Sequence, residues 1–176
     1  MDRILIDIQP IHSGSILDVG GGGEGIIGRA FGKRVIAVDN RQEELDEAPD
    51  CCEKRLMDAA ALQFEDASFE AVTFFYSLMY MDASTQQKAI REAWRVLKPG
   101  GEAHVWDADI SSAFPDPFLV HLEIQIGKET VRTSYGVVKE GSQDATEIIR
   151  FAERSGFCLK TAQKNKGQFY LRLSKV

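Results

Sequence analysis

The sequence lacks the patterns of a metal-binding, disulfide-bonded or membrane-spanning protein. Its three cysteines, Cys51, Cys52 and Cys158, form no CxxC pair, and adjacent cysteines do not readily bridge each other. This argues against a structural zinc site and a disulfide framework, and the low count is typical of the reducing cytoplasm, which is the expected location. No apolar run is long enough to cross a membrane, and the N-terminal residues do not resemble a signal peptide.

The charge of the chain does not favour nucleic acid as a partner. The formal net charge is −6, and residues 1–138 carry 13 Lys or Arg against 23 Asp or Glu. Proteins that bind nucleic acid usually present a basic field, which is lacking here. Residues 139–176 are mildly basic, which is typical of a solvated surface. We therefore expect a small-molecule substrate, and neither nucleic acid nor a membrane as partner.

Most of the chain alternates predicted strands and helices. Strands are predicted at 15–19, 34–39, 54–59, 69–79 and 102–109, and helices at 24–32, 41–48 and 84–101. This order favours parallel strands joined by right-handed helical crossovers. The predicted fold is therefore α/β, a Rossmann-like doubly wound sheet that is mostly parallel.

The pattern changes after Pro115 and Pro117. Residues 118–138 alternate apolar and polar side chains on both sides of a short turn, which predicts a β-hairpin peripheral to the parallel core. A helix at 144–156 and an antiparallel C-terminal strand pair follow. We expect one domain over residues 1–176, with the hairpin as an insertion that covers the substrate pocket or forms a homodimer through its exposed edge.

A glycine loop follows the strand predicted at 15–19, in "ILDVGGGGEGIIGRAFGKRVIAVDN". Gly20, Gly22 and Gly25 have the GxGxxG spacing, which alone is weak evidence because nicotinamide and flavin folds share it. Those folds place a pyrophosphate at the first helix N-terminus. Asp18 and Glu24 lie on either side of the glycines and would repel that anion. The loop therefore favours a ligand with positive charge and no phosphate.

S-adenosylmethionine is such a ligand, since it carries an ammonium, a sulfonium, a carboxylate and a ribose with two free hydroxyls. Asp39 follows the first glycines by about 20 residues, where a ribose-binding acid is expected. Its carboxylate can accept hydrogen bonds from both hydroxyls. We expect S-adenosylmethionine as the cofactor. An NAD-dependent oxidoreductase is the alternative by glycine spacing, although no hydride-transfer residue is visible.

Together these motifs resemble the class I S-adenosylmethionine-dependent methyltransferases. The resemblance covers roughly residues 15–109, with a weaker match at the C-terminal strand pair. It rests on "LDVGGGGEG", "VIAVD", "MDA", "FEAVTFFYSLMYM" and "EAWRVLKPGG", which are weak singly but specific in this order and spacing. The resemblance implies an enzyme that transfers a methyl group from S-adenosylmethionine to a small-molecule acceptor.

The resemblance also implies roles for particular residues at the cofactor. It implies Asp18 and the backbone of Gly20, Gly21 and Gly22 beside the methionine part, Asp39 at the ribose hydroxyls, and Asn40 near the adenine. It further implies Asp58 at the adenine amino group, the Ala59 backbone beside it, and Tyr76 or Phe75 as the wall under the cofactor. A purely structural role stays open for Asp18 as a turn residue, Asp58 as a surface acid and Tyr76 as a core residue.

One position departs from the family pattern. The third glycine usually lies six residues after the strand-end acid, where this chain has Glu24, and Gly25 follows one position later. Either the loop is one residue longer, or Glu24 takes the place of the glycine.

No side chain stands out as a catalytic group. His12, His104 and His121 have no acid–base partner at motif spacing, and no metal-ligand set is visible. Methyl transfer from a sulfonium needs a general base only if the acceptor must lose a proton. Asp107 and Asp109, at the end of the strand predicted at 102–109, are the candidates for that base, and Asp107 is the preferred but weak one. A non-catalytic module that binds S-adenosylmethionine is the other alternative.

Overall fold

The computed structural model describes residues 2–12, 14–112 and 114–176. Within these ranges the strands are β1 (Ile4–Asp7), β2 (Ile16–Val19), β3 (Val35–Asp39), β4 (Glu53–Leu56), β5 (Phe69–Phe75), β6 (Leu97–Ala108), β7 (Phe118–Ile126), β8 (Glu129–Val137), β9 (Phe157–Asn165) and β10 (Gln168–Lys175). The α-helices are α1 (Ile26–Phe31), α2 (Gln42–Glu47), α3 (Ala83–Val96) and α4 (Ala145–Ser155).

The larger sheet has seven strands in the order β4-β3-β2-β5-β6-β10-β9. Strands β2 to β6 pair in parallel, whereas β10 pairs antiparallel with both β6 and β9. The chain leaves β2 outward through β3 to β4 and then returns to β5 on the other side, so the strand order reverses at β2. The predicted fold class is confirmed. Open sheets of this kind bind ligands beyond the carboxyl ends of the strands at that reversal.

Helices α3 and α4 cover one face of this sheet. Ala93 of α3 and Ile148 of α4 are fully buried and pack in one apolar cluster with Leu17 and Val72 of the sheet. Both helices begin at an aspartate that accepts a hydrogen bond from the backbone three residues on; Asp144, for example, accepts one from Glu147 N. This capping fixes where each helix starts.

A second sheet covers the opposite face, beside α1. Its order is β1-β7-β8, with β7 and β8 as an antiparallel hairpin and β1 parallel to β7. Strand β1 was not predicted, because its four residues gain their hydrogen-bond partners from a strand more than 100 residues away. Leu122 and Ile124 are fully buried in a cluster with Ile16, Phe75 and Trp106. The hairpin is outside the seven-stranded sheet, but its inner face belongs to the apolar core.

The carboxyl end of β5 differs from the prediction. The apolar run 69–79 was predicted as one strand, but β5 ends at Phe75. Tyr76 has a φ of 49°, in the left-handed region, and its backbone N–H donates to Trp106 O at 2.8 Å. The chain therefore leaves the sheet at Tyr76 and forms a 3₁₀ turn over Leu78–Tyr80. Helix α3 likewise ends at Val96, earlier than the predicted helix over 84–101.

Candidate functional site

A cavity of about 640 Å³ lies beyond the carboxyl ends of β2, β3, β4 and β5. Its volume is within the range of cofactor sites in proteins. The side chains and backbone that line it are Asp18, Gly20, Gly21, Gly22, Gly23, Glu24, Gly25, Ile26, Val38, Asp39, Asn40, Arg41, Glu44, Met57, Asp58, Ala59, Phe75, Tyr76, Ser77, Tyr80, Met81, Thr85, Tyr135 and Gly136. All nine residues implied as cofactor contacts are therefore brought to one cavity.

The glycine loop is held against β3 and α2 by backbone hydrogen bonds. Gly20 N and Gly21 N both donate to Val38 O, at 2.8 and 3.0 Å, and Gly23 N donates to Glu44 O at 2.7 Å. A Cβ atom on Gly21 would lie 2.4 Å from the Asp18 carboxylate oxygen Oδ2. The loop backbone therefore approaches the strand-end acid more closely than any side chain would permit.

The structure gives Gly25 a conformational role. Gly25 has a φ of 59° and is the N-cap residue of α1, so the left-handed turn into the helix falls at this glycine. Glu24 is half-buried, and its carboxylate oxygen Oε1 accepts a hydrogen bond from Thr133 Oγ1 at 2.9 Å. The turn into α1 thus falls at Gly25, and Glu24 faces β8.

Asp18 is a buried acid at the base of the cavity. It is 2% exposed, and Thr73 Oγ1 donates to its Oδ1 at 2.7 Å. Burial raises the pKa of Asp18 to about 7; the Thr73 hydrogen bond lowers it and the nearby Asp39 charge raises it further. A bound cation would favour the ionised carboxylate, so the site is suited to a positively charged group.

Asp39 and Asp58 lie at the ends of β3 and β4. Asp39 is half-buried and accepts hydrogen bonds from Gly22 N at 3.2 Å and from Arg41 N at 3.1 Å. Each carboxylate oxygen retains further acceptor capacity toward a ligand. Asp58 is exposed and accepts from Ala60 N at 2.8 Å, so it also orders a turn.

Aromatic side chains form the other end of the cavity. Tyr76 is 2% exposed, its hydroxyl donates to Gln168 Oε1 at 2.9 Å, and its ring stacks on Tyr135 with centroids 5.4 Å apart. Tyr135 and Gly136 come from β8, so the second sheet forms a roof over the site. Tyr80, from the turn after β5, is 52% exposed and lines the same end.

The charges around the cavity are mainly negative. Five carboxylates line it, those of Asp18, Glu24, Asp39, Glu44 and Asp58. Arg41 is the one cation among the lining residues, and it already pairs with Glu44 at 3.4 Å. This balance opposes a pyrophosphate and favours a cationic ligand.

Asp107 lies apart from this lining. It is fully buried and accepts hydrogen bonds from Ala108 N at 2.9 Å, Gln143 Nε2 at 2.8 Å and Met79 N at 3.2 Å. Burial raises its pKa to about 6, and these hydrogen bonds act in the opposite direction. These contacts fix the turn after β5, and Asp107 is not among the residues that line the cavity.

Several lining residues were given no role by the sequence, Glu44, Tyr80 and Tyr135 among them. Glu44, Tyr80 and Tyr135 reach the cavity from α2, from the turn after β5 and from β8. No motif contains Tyr135, which is more than 100 residues from the glycine loop. Only the placement of the β8 roof brings it to the site.

Two structural properties bear on what the chain binds. In the part of the chain that the structure describes, no group of three His, Cys, Asp or Glu side chains is arranged to hold a metal ion. Within the same ranges, no helix combines the length and apolarity needed to cross a membrane.

Comparison with known families gives a match over the region that builds this cavity. A family model described as "Methyltransferase domain" matches residues 17–105, about half of the chain. This interval contains all nine implied cofactor residues and the strands that carry them.

Two curated relatives are similar to part of the chain. A ubiquinone/menaquinone biosynthesis C-methyltransferase from Ruegeria sp. (strain TM1040) is 29% identical over 118 residues, 59% of this chain and 46% of that protein. A chloroplastic 2-phytyl-1,4-beta-naphthoquinone methyltransferase from Arabidopsis thaliana is 31% identical over 117 residues, 65% of this chain and 44% of that protein. The chain thus spans less than half the length of these relatives.

A solved structure shows the same fold over nearly the whole chain. An S-adenosylmethionine-dependent methyltransferase from Methanosarcina mazei superposes with a TM-score of 0.68 at 18% identity, over 97% of this chain and 99% of that one. At this identity the likeness concerns the fold.

Proposed function

The chain belongs to the class I S-adenosylmethionine-dependent methyltransferase family, and we propose that it is an enzyme that transfers a methyl group from S-adenosylmethionine to a small-molecule acceptor. The observation that supports this most is the convergence of the nine implied cofactor residues, from four separate strand ends, on one cavity lined by acids. Of the relatives named above, one is a C-methyltransferase of ubiquinone/menaquinone biosynthesis and the other a naphthoquinone methyltransferase, and both names agree with a small-molecule acceptor.

The strand order supports one direction for the cofactor along the cavity. Strands β4, β3, β2 and β5 are neighbours in that order, and three strand spacings span about 14 Å. We propose that Asp58 and Ala59 hold the adenine with Asn40 beside it, and that Asp39 holds the ribose hydroxyls. The methionine part then lies over the glycine loop at β2, and the reacting end faces β5 and β8.

Asp18 and the loop backbone fit the methionine part of the cofactor. The ammonium of that part supplies the positive charge that a buried carboxylate with a raised pKa needs in order to ionise. The backbone of Gly20, Gly21 and Gly22 is open to the cavity, and a side chain at Gly21 would clash with Asp18. The acids and the close approach of the loop backbone therefore fit S-adenosylmethionine better than a dinucleotide.

The chemistry requires little from the protein besides binding and alignment. When bound, S-adenosylmethionine supplies a methyl group activated by its sulfonium. The residues of this chain orient the two reactants and exclude water, which together can supply most of the rate enhancement. Phe75 and Tyr76 form the wall at the end of β5, and Tyr135 covers them from the roof. We assign no proton-transfer role to Asp107, since its oxygens are engaged within the fold.

Calorimetric titration with S-adenosylmethionine, S-adenosylhomocysteine and NAD tests the cofactor. We expect the first two to bind and NAD to give no heat of binding. The D39A variant should lose affinity, while D116A, at an exposed acid outside the cavity, should not. Binding of NAD without binding of S-adenosylmethionine would make the oxidoreductase the better reading. Release of S-adenosylhomocysteine upon addition of a small-molecule acceptor separates an enzyme from a non-catalytic binding module.

The organisation and location of the protein are further parts of the proposal. We propose that residues 1–176 form one domain, with the hairpin at about 118–138 as its insertion, and that the protein works in the cytoplasm. The three cysteines are free, which agrees with a reducing compartment. A homodimer through the hairpin is supported by strand β8, which is the last strand of its sheet. Light scattering on the purified chain and on a V131P variant tests the dimer.

A further inference from the structure

We propose that the reacting end of the cavity recognises a cation, and that the accepting atom of the substrate is an amine nitrogen. We call the surface formed by Tyr76, Tyr80, Tyr135, Glu24 and Glu44 the acceptor face. This inference rests on the proposed function, because it takes the cofactor to lie along the cavity with its adenine at β4.

The position of the acceptor face follows from the strand order. With the adenine at β4 and the ribose at β3, the methionine part lies over β2, and the next strand in the sheet is β5. The turn after β5 brings Tyr76 and Tyr80 to the cavity, and β8 brings Tyr135 from above. These rings are therefore the part of the lining nearest to the transferred methyl group.

The aromatic rings of this face provide π surfaces for a cation. Tyr76 and Tyr135 stack with an interplanar angle of 25°. Tyr76 is 2% exposed, with its hydroxyl engaged by Gln168 and its ring stacked on Tyr135, so it supports Tyr135 from behind. The π surfaces open to a cation are those of Tyr135 and Tyr80. Tyr80 is 52% exposed although it is a large aromatic side chain, and the core gains little from it. Tyrosine faces attract ammonium groups with a strength that increases on desolvation.

The carboxylates of the face add to this attraction. Once Asp18, Asp39 and Asp58 are assigned to the cofactor, Glu24 and Glu44 remain. Glu44 already pairs with Arg41 at 3.4 Å, so Glu24 is the carboxylate whose charge is left for the acceptor. Glu24 Oε1 accepts a hydrogen bond from Thr133 Oγ1 at 2.9 Å, and Thr133 lies on β8 two residues before Tyr135, which places this carboxylate near the Tyr135 side chain. Burial raises the pKa of the Tyr135 phenol, and the Glu24 charge raises it further. The phenol stays neutral at physiological pH. A phenolate, carboxylate or phosphate acceptor would be repelled here, whereas an amine would not.

Methyl transfer to an amine suits the charge of this face at every stage. A protonated amine first releases one proton to water at the mouth of the cavity. The nitrogen lone pair then forms a bond to the methyl carbon, while the electrons of the carbon–sulfur bond pass to sulfur and leave a neutral thioether. The positive charge thus moves from sulfur to nitrogen, and the product is a methylammonium ion. Fixed carboxylates and aromatic faces stabilise this charge throughout.

Binding of three compounds of similar shape and different charge tests the inference. The protein is first saturated with S-adenosylhomocysteine and then titrated with tetramethylammonium chloride, neopentyl alcohol or sodium pivalate at constant ionic strength, with binding followed by NMR. We expect tetramethylammonium to bind at least about tenfold more tightly than neopentyl alcohol, and pivalate to bind most weakly.

Variants locate the site on the acceptor face. We expect Y80L, Y135L and E24Q each to weaken tetramethylammonium binding by about 3- to 30-fold, and Y135F, which keeps the ring, to preserve it. The matched controls are F114L and E153Q, at an exposed aromatic and an exposed acid outside the cavity. Tyr80 is exposed, so Y80L remains informative even if Y135L fails to fold.

Failure of this inference is distinguishable from failure of the proposed function. If S-adenosylhomocysteine does not bind to the wild type, the proposed function is wrong and the amine inference is lost with it. If S-adenosylhomocysteine binds but tetramethylammonium binds no more tightly than neopentyl alcohol, the proposed function stands and the amine inference is overturned. Equal loss of tetramethylammonium binding in F114L and Y80L would also overturn it, because the binding would then lie elsewhere.

Discussion

Replacement of Asp18 by asparagine should make the protein more stable and worse at binding its cofactor. Asp18 is fully buried, and its one side-chain hydrogen bond comes from Thr73 Oγ1. An asparagine side chain has nearly the same shape, and its amide oxygen can still accept that hydrogen bond. The D18N change therefore removes a titratable group from the core while leaving its packing in place.

The expected gain in stability follows from the pKa of Asp18. This pKa is about 7 in the folded chain and 3.8 as the reference for an unfolded one. Between these values the folded chain holds a proton that the unfolded chain has released, so the free energy of unfolding falls as pH rises through the window. Above pH 7 the full cost remains, and at about 1.4 kcal/mol per pH unit it approaches 4 kcal/mol. We expect D18N to be about 2–4 kcal/mol more stable than the wild type at pH 8, and nearly equal to it at pH 4.

Cofactor binding should change in the opposite direction. If the ammonium of the cofactor pairs with ionised Asp18, binding below pH 7 must expel a proton, and the affinity should fall by up to about tenfold for each pH unit. D18N should lose this pH dependence and bind about 10- to 100-fold more weakly at pH 8, because a charge-assisted contact is lost.

Urea unfolding and calorimetry measure both effects. We would follow urea unfolding at pH 5, 6, 7 and 8 for the wild type, D18N and the control D116N. The pKa of Asp107 is also raised, but Asp107 is present in all three proteins, so the difference between the wild-type and D18N stability curves reports Asp18 alone. Titration with S-adenosylhomocysteine at pH 6, in two buffers with different ionisation enthalpies, reports the released proton. Parallel stability curves for the wild type and D18N would falsify the assignment of a raised pKa to this carboxylate.

Three further predictions follow from the loop and the turn after β5. D39A should weaken S-adenosylhomocysteine binding by roughly 30- to 150-fold, as measured by calorimetry. It should also lower the free energy of unfolding by about 1 kcal/mol, as measured by urea unfolding, because Asp39 accepts hydrogen bonds from Gly22 N and Arg41 N. D39N should have a smaller effect in both measurements. G21A should abolish measurable cofactor binding, because its Cβ would lie 2.4 Å from Asp18 Oδ2 and 2.9 Å from Ala37 Cβ; a wild-type titration curve would contradict this. K139M should raise hydrogen exchange in residues 78–82, because Lys139 Nζ donates to Met79 O at 3.3 Å and to Met81 O at 2.6 Å, and K139R should restore part of the protection.

Much of the cofactor end of the cavity could be predicted from the sequence. Asp18, Asp39 and Asp58 each follow a predicted strand, and the carboxyl ends of parallel strands meet at one edge of a sheet. The glycine loop and the order of strands and helices are local patterns, so the sequence determined them. The roles of these residues at the cofactor came from the family resemblance, and they remain proposals.

The rest depended on contacts between distant parts of the chain. Period-2 alternation predicts a hairpin at 118–138, but it does not tell on which face of the main sheet the hairpin packs or that β1 joins it. Tyr135 reaches the cavity because the apolar inner face of β7 and β8 packs against the main sheet, which places β8 beside the glycine loop. The hydrogen bonds that Asp107 accepts come from Gln143 and Met79, which are 36 and 28 residues away, so no local pattern predicts them.

The sequence by itself thus determined where the cofactor site lies in the fold, because strand-end acids and a glycine loop are specified by residues close together in the chain. Tertiary structure alone decided the acceptor face. Its tyrosines come from a 3₁₀ turn and from a second sheet, and their positions depend on which apolar surfaces pack together. Hydrophobic burial is not directional, so a sequence shows which side chains will be buried but not which distant partner will cover them.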